Sequence, residues 1–237
     1  AGTLSYKCQN LSSGVVAKVS SALTMDGGTI SRVTISGRES GVIDVDGGVF
    51  TMNGGTINRV SGTNYKNGAV YVHNNGKFNL AGGEISESSC TNQESGAVVI
   101  DGGEMVMMSG SIHNNDAANG IASAGVMVCE NSLFTMSGGT IADNTAKRGG
   151  AVHVGVFDTV YNADTSAKFV MSGGVISGNV ASPITSDVNA GGGGVFVEDN
   201  GEFEMTGGTI SGNKTLGSGM GGGVAMANAK QNGGGRF

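Results

Sequence analysis

A nine-residue unit recurs seven times along this 237-residue chain and approximates Phe-Thr-Met-x-Gly-Gly-Thr-Ile-Ser. Its isoleucines follow one another at steps of 27, 28, 27, 29, 35 and 34 residues: Ile30, Ile57, Ile85, Ile112, Ile141, Ile176 and Ile210. Internal repetition at this period is the signature of a solenoid, in which each repeat buries its apolar face against the next.

Apolar residues alternate with polar ones inside every unit, which predicts short strands. A large apolar residue lies seven positions before each isoleucine, and a second follows two residues later, as with Phe50 and Met52. A third apolar piece, such as Val70-Tyr71-Val72, comes later in each repeat. We therefore predict an all-β, right-handed parallel β-helix of about seven coils with three short strands per coil. At about 4.8 Å per coil it would be roughly 35 Å long.

The repeats favour a single domain covering residues 1–237. Residues 1–22 would form a partial coil or cap, residues 23–228 the seven repeats and residues 229–237 a tail. No run approaches the length of a transmembrane helix, and the amino end has no signal-peptide pattern. We expect the chain to be a segment of a longer protein.

Composition agrees with a solenoid that turns many tight corners. The chain has 45 glycines and 1 proline, and glycine supplies corners without removing strand hydrogen bonds. A net charge of −6 with dispersed basic residues argues against a nucleic-acid partner. The cysteines, Cys8, Cys90 and Cys129, match no zinc spacing, and we expect no bridge between Cys90 and Cys129.

Two motifs alternate along the chain: Gly-Gly-Ala-Val, at residues 149–152, and Ile-x-x-Asn, which ends at Asn115, Asn144, Asn179 and Asn213. This alternation resembles the repeats of polymorphic outer-membrane proteins, and more closely the adhesin-like β-helix repeats of large surface proteins of gut microbes. The resemblance covers about residues 14–228. It implies display at the cell surface and attachment to host or neighbouring cells, with no shared catalytic residues.

Equivalent positions of successive coils stack in a solenoid, so we interpret each column of residues as a unit. We expect the methionine column to fill the core and the asparagine column to form a structural amide ladder. Threonines such as Thr29, Thr56, Thr140 and Thr209 suit exposed strands, although their alignment leaves ice binding as a third functional hypothesis.

The outer face of the third strand carries the most site-like residues. Alternation points Asp44, Tyr71, Val99, Met127, His153 and Phe196 outward, followed by the column of Asp46, His73, Asp101, Cys129 and Glu198. Stacking brings Asp46, His73 and Asp101 close enough to share a proton or hold a metal ion. However, the sequence places no Arg or Lys among them, so we expect a solvated polar face with no metal and no cofactor.

The same face predicts exposed apolar surface, which often marks a contact site. Together with a long corner insertion at residues 155–168, it supplies our candidate ligand-binding residues, which are Tyr71, Met127, His153, Phe157, Tyr161 and Phe196. The leading hypothesis is a non-enzymatic adhesin-like module at the cell surface or outside the cell, acting as a rigid scaffold, a binding rod or part of an assembled appendage.

The expected partner of such a module is a glycan or protein on a host or neighbouring cell, with no membrane span in this segment. Open ends of a β-helix also invite end-to-end self-association, unless the chain continues into further coils. The alternative is a carbohydrate-active β-helix enzyme, a polysaccharide lyase or hydrolase, that uses Asp44, Asp46, His73 and Asp101.

Overall fold

Four parallel β-sheets run side by side along the molecule and form a parallel β-helix. The structure, a computed structural model, describes residues 17–35, 39–62, 66–90, 96–117, 123–155, 166–182, 191–198, 200–217 and 219–227. These residues contain strands, turns and bends, and no helix long and apolar enough to span a membrane occurs among them.

Each coil contributes one strand to each sheet, and we number the sheets in the order in which the chain enters them after Ala22. Sheet 1 consists of Ala22–Met25, Val49–Met52, Lys77–Leu80, Glu104–Met107, Ser132–Met136, Ala167–Met171 and Gly201–Met205. Sheet 2 consists of Thr29–Ser31, Thr56–Asn58, Glu84–Ser86, Ser111–His113, Thr140–Ala142, Val175–Ser177 and Thr209–Ser211.

The other two sheets differ greatly in strand length. Sheet 3 has two-residue strands: Thr34–Ile35, Ser61–Gly62, Ser89–Cys90, Asp116–Ala117, Thr145–Ala146, Val180–Ala181 and Lys214–Thr215. Sheet 4 has eight strands: Ala17–Val19, Ser40–Asp46, Asn67–His73, Val98–Asp101, Val126–Val128, Val152–Val154, Val195–Val197 and Val224–Met226. The prediction of three strands per coil was therefore wrong by one, because a two-residue strand is too short to show alternation.

The strand register places the same residue types over one another in successive coils. Phe134 pairs with Phe169, Met136 with Met171, and Ile141 with Ile176. The Phe134 and Phe169 rings stack with centroids 4.6 Å apart. The phenylalanine, methionine and isoleucine columns form one continuous buried core through the coils. The predicted β-helix and the core role of the methionines are confirmed.

The Gly-Gly corner between sheets 1 and 2 is required by close approach of successive coils. Gly55 has a φ of 90°, which side chains rarely adopt. A Cβ atom there would lie 2.7 Å from the carbonyl oxygen of Gly28 and 2.7 Å from the Met25 Cε atom. Because coils stack this tightly at the corner, only glycine fits, and the motif repeats with the coil.

The asparagine column forms the predicted amide ladder. The Nδ2 atom of Asn115 donates to Oδ1 of Asn144 at 2.9 Å, and the same bond links Asn144 to Asn179 and Asn179 to Asn213. Each oxygen also accepts the backbone N–H of the preceding asparagine, as from Asn115 to Asn144 at 3.0 Å. The ladder thus satisfies buried backbone groups at the bend between sheets 2 and 3.

Candidate functional site

Sheet 4 brings the predicted site residues into one column on its outer face. Asp44 pairs with Tyr71, Tyr71 with Val99, Val99 with Met127, Met127 with His153, and His153 with Phe196. In the neighbouring column Asp46 pairs with His73 and His73 with Asp101. The predicted stacking of these residues is therefore confirmed.

The expected exposure of the apolar members is wrong. Tyr71 is 3% exposed, His153 1%, and Met127 and Phe196 0%. Tyr71, Val99, Met127 and Cys129 pack together as a small apolar cluster on this face. The apolar members of the outer face of sheet 4 are thus covered and offer no open surface for a ligand. Their ligand-binding role stays a prediction.

Tyr71 links the apolar cluster to the charged column. Its hydroxyl donates to Oδ2 of Asp101 at 2.9 Å, while Nζ of Lys66 lies 2.8 Å from Oδ1 of the same carboxylate. Burial, followed by the negative charge of Asp101 and the hydrogen bond to it, raises the pKa of Tyr71 far above its usual value. Tyr71 therefore stays protonated and serves as a hydrogen-bond donor.

His73 lies between two carboxylates of the preceding coil. Its Nε2 atom is 2.7 Å from Oδ1 of Asp44, and its Nδ1 atom is 3.9 Å from Oδ1 of Asp46. The Tyr71 ring stacks on the imidazole with centroids 4.7 Å apart. His73 is thus held by Asp44 and Tyr71, and it lies closer to the Asp44 carboxylate than to that of Asp46.

Asp46 is neutralised by its own partners. Nζ of Lys18 lies 2.7 Å from Oδ2, and Nδ2 of Asn74 donates to Oδ1 at 2.6 Å. These two hydrogen bonds, that of Lys18 first, lower the pKa of Asp46 from 3.8 to about 2. The expectation that no Lys or Arg joins the acidic cluster was wrong, because Lys18 and Lys66 arrive from a separate strand and a corner.

No group of three or more His, Cys, Asp or Glu side chains with metal-binding geometry occurs among the described residues. The sequence-based idea that Asp46, His73 and Asp101 could together hold a metal ion therefore finds no support in this part of the chain. Asp46 and Asp101 each face a lysine instead.

A second charged cluster lies further along the same face. Oε1 of Glu198 accepts from the Arg148 guanidinium at 2.8 Å, and Oε2 lies 2.9 Å from Nε2 of His153. The Phe196 ring packs edge-on against His153, with the Arg148 guanidinium carbon 5.9 Å from its centroid. This cluster links two successive coils and is almost entirely buried.

The ionisation of Glu198 follows from these contacts. Burial raises the pKa of Glu198, but the hydrogen bonds and charges of His153 and Arg148 outweigh burial and leave it below its usual value. Glu198 is therefore a carboxylate, and His153 donates through Nε2. The Nδ1 atom of His153 is buried and has no hydrogen-bond partner among the described residues.

Some predicted residues could not be placed in the site, and some residues of the site were not predicted. Phe157 and Tyr161 lie outside the described residues, as does the side chain of Cys90, so the predictions for these residues stay untested. Sequence reasoning missed Lys18, Lys66 and Arg148. Lys18 could have been found, because it precedes Asp44 at the same register position of the first, partial coil. Lys66 and Arg148 come from corners, which carry no periodic signal.

Comparison of this chain with protein-family models, curated proteins and solved structures finds no match.

Proposed function

We propose that this protein is a non-enzymatic, adhesin-like β-helix module of the cell surface or extracellular space that serves as a rigid scaffold or binding rod. One observation carries the proposal: Asp46 and Asp101 are paired with lysines, and Glu198 with an arginine. Carboxylates engaged in these ion pairs contact a neighbouring coil and are poor candidates for proton transfer.

The stacked core supports the same proposal. Phe50, Phe78, Phe134, Phe169 and Phe203 are fully buried in one column, and sheets 1 to 4 continue in register from coil to coil. A core that is continuous along one axis resists bending between coils, which suits a spacer or a binding rod.

Attachment to cells tests the adhesin part of the proposal. Beads coated with the full chain are mixed with bacterial and epithelial cells, and beads coated with the heat-unfolded chain serve as the control. We expect only the folded chain to attach. Attachment that is equal for folded and unfolded chains would contradict a role for the rod.

A carbohydrate-active enzyme is the second candidate, favoured by the 2.7 Å contact between half-buried His73 and Asp44, which is the pairing that orients a general base. The full chain is incubated with neutral and acidic polysaccharides while reducing ends and unsaturated products are measured. The proposal predicts no product. Turnover that His73→Gln and Asp44→Asn abolish would establish the enzyme instead.

A further inference from the structure

A notch interrupts the corner between sheets 4 and 1 at the third coil. In this coil the corner between the sheet 4 strand and the next sheet 1 strand consists of two residues, Gly102 and Gly103. The coil before it has three, residues 74–76, and the coil after it also has three, residues 130–132. A short glycine corner between two longer ones leaves an open groove of about 450 Å³.

Hydrogen bonds of the backbone and of the Ser132 hydroxyl hold the base of this groove in place. The backbone N–H of Gly102 donates to Oγ of Ser132 at 2.9 Å, and that hydroxyl donates to the Ile100 carbonyl oxygen at 3.0 Å. The N–H of Asn75 donates to the Gly102 carbonyl oxygen at 2.6 Å. The three corners are thus tied together, so the groove is preformed.

The charges beside the groove are already balanced. Glu104 lies 3.3 Å from Lys77, and Lys168 lies 2.8 Å from Glu202 and 3.0 Å from Glu204. The hydrogen bonds from these two glutamates raise the pKa of Lys168 above its usual value, so it remains a cation held by two anions. An ionic ligand would have to displace such pairs, whereas a neutral ligand would not.

The remaining lining groups suit hydroxyls. Asn75 and Asn131 are exposed, line the groove and make no side-chain hydrogen bond within the described part of the chain. A primary amide offers a donor and an acceptor side by side, which matches two neighbouring hydroxyl groups. Ser166 adds a further hydroxyl, and half-buried Leu133 adds an apolar patch for the C–H face of a ring.

We propose that this groove binds a short neutral oligosaccharide, with Asn75 and Asn131 as the principal hydrogen-bonding residues. The lining runs over four consecutive coils, from Asn75 through Glu104 and Asn131 to Ser166, so the sugar chain lies along the rod axis. The inference deepens the proposed function and rests on it for the cellular source of the glycan. The described lining residues offer amide and hydroxyl groups that can distinguish one sugar from another by the arrangement of its hydroxyls.

Binding of neutral gluco-, galacto- and manno-oligosaccharides to the full chain tests the site, with galacturonic acid oligomers as the acidic set. Saturation-transfer NMR detects binding, and calorimetry measures affinity. The test variant is the double substitution Asn75→Gly and Asn131→Gly, because both residues have positive φ, 61° and 53°, which glycine tolerates. Asn114→Gly, at a φ of 53° on a different corner, is the matched control.

We expect at least one neutral oligosaccharide to bind, the double variant to weaken it by about tenfold or more, and Asn114→Gly to leave it unchanged. Unchanged thermal unfolding of the double variant shows that the fold is intact. Absence of neutral binding, binding that the double variant leaves intact, or binding of the acidic set alone would overturn the inference.

Failure of the groove and failure of the rod proposal give different results. If coated beads attach to cells while the chain binds no oligosaccharide, the groove inference is overturned and the adhesin proposal stands. If oligosaccharide binding depends on Asn75 and Asn131 while beads attach to no cell, the groove stands and the adhesin proposal is overturned.

Discussion

Removing one amide from the middle of the asparagine ladder should cost far more stability than removing one from its end. Asn144 is fully buried and makes four side-chain hydrogen bonds: two accepted from Asn115, one donated to the Ile112 carbonyl oxygen and one donated to Asn179. At about 1 kcal/mol for each bond, Asn144→Ala should lower the free energy of unfolding by about 4 kcal/mol. That is a large fraction of the roughly 5–15 kcal/mol free energy of unfolding that is typical of a domain.

Asn213 provides the matched control, because it makes equivalent bonds to Asn179 and Ile176 but is only partly buried. Water can replace its lost bonds, so Asn213→Ala should cost about 1 kcal/mol. Equilibrium urea denaturation measures both values, with an unchanged slope confirming that the same surface is exposed. If Asn144→Ala were no more destabilising than Asn213→Ala, the ladder would not be the stabilising element described above.

Three further substitutions test the core and the charged columns. Phe169→Ala removes a ring stacked on both sides and should cost about 3–5 kcal/mol in urea denaturation. Lys18→Met should raise the Asp46 pKa from about 2 toward 3.8, as measured by a carboxyl ¹³C NMR titration. Because the pKa of Asp46 is lower in the folded chain than in the unfolded chain, the pairing stabilises the fold above pH 3.8. That stabilisation is lost as the pH falls through about 2. Arg148→Met leaves Glu198 buried without its cation and should cost about 3–5 kcal/mol at neutral pH.

A specific result would contradict each of these three predictions. A Phe169→Ala variant as stable as the parent would place the ring outside the core. An Asp46 pKa that does not move in Lys18→Met would show that the lysine contact contributes nothing. Arg148→Met should also raise the pKa of Glu198, and an unchanged thermal stability in that variant would refute the buried ion pair.

The sequence predicted the coil and its core because both depend on periodicity. Phe50, Met52 and Ile57 recur at fixed spacing, and only stacking coils can bury such a pattern along the whole chain. The strands of sheet 3 escaped prediction because two residues cannot show alternation. An asparagine directly precedes the last four of these strands, but valine or serine precedes the first three, so no single residue type marks all seven.

The sequence predicted which residues share the outer face of sheet 4, but not whether those residues are buried or what they contact. Alternation correctly placed Tyr71, Met127 and His153 on one face of a strand, but it cannot show whether that face is covered. The partners Lys66 and Arg148 come from corners whose length varies between coils. The groove was missed for the same reason, because it depends on comparing neighbouring corners after the register is known.

The most direct test of the central claim is the distance between equivalent residues on different coils. Thr29, Thr140 and Thr209 occupy one register column of sheet 2, with Thr140 four coils and Thr209 six coils from Thr29. Spin labels are attached to T29C/T140C and T29C/T209C chains whose Cys8 and Cys90 are replaced by serine. Pulsed electron–electron double resonance should give distances between the two labels of about 19 Å and about 29 Å, at about 4.8 Å per coil. Distances that do not grow in proportion to coil number would contradict the stacked β-helix.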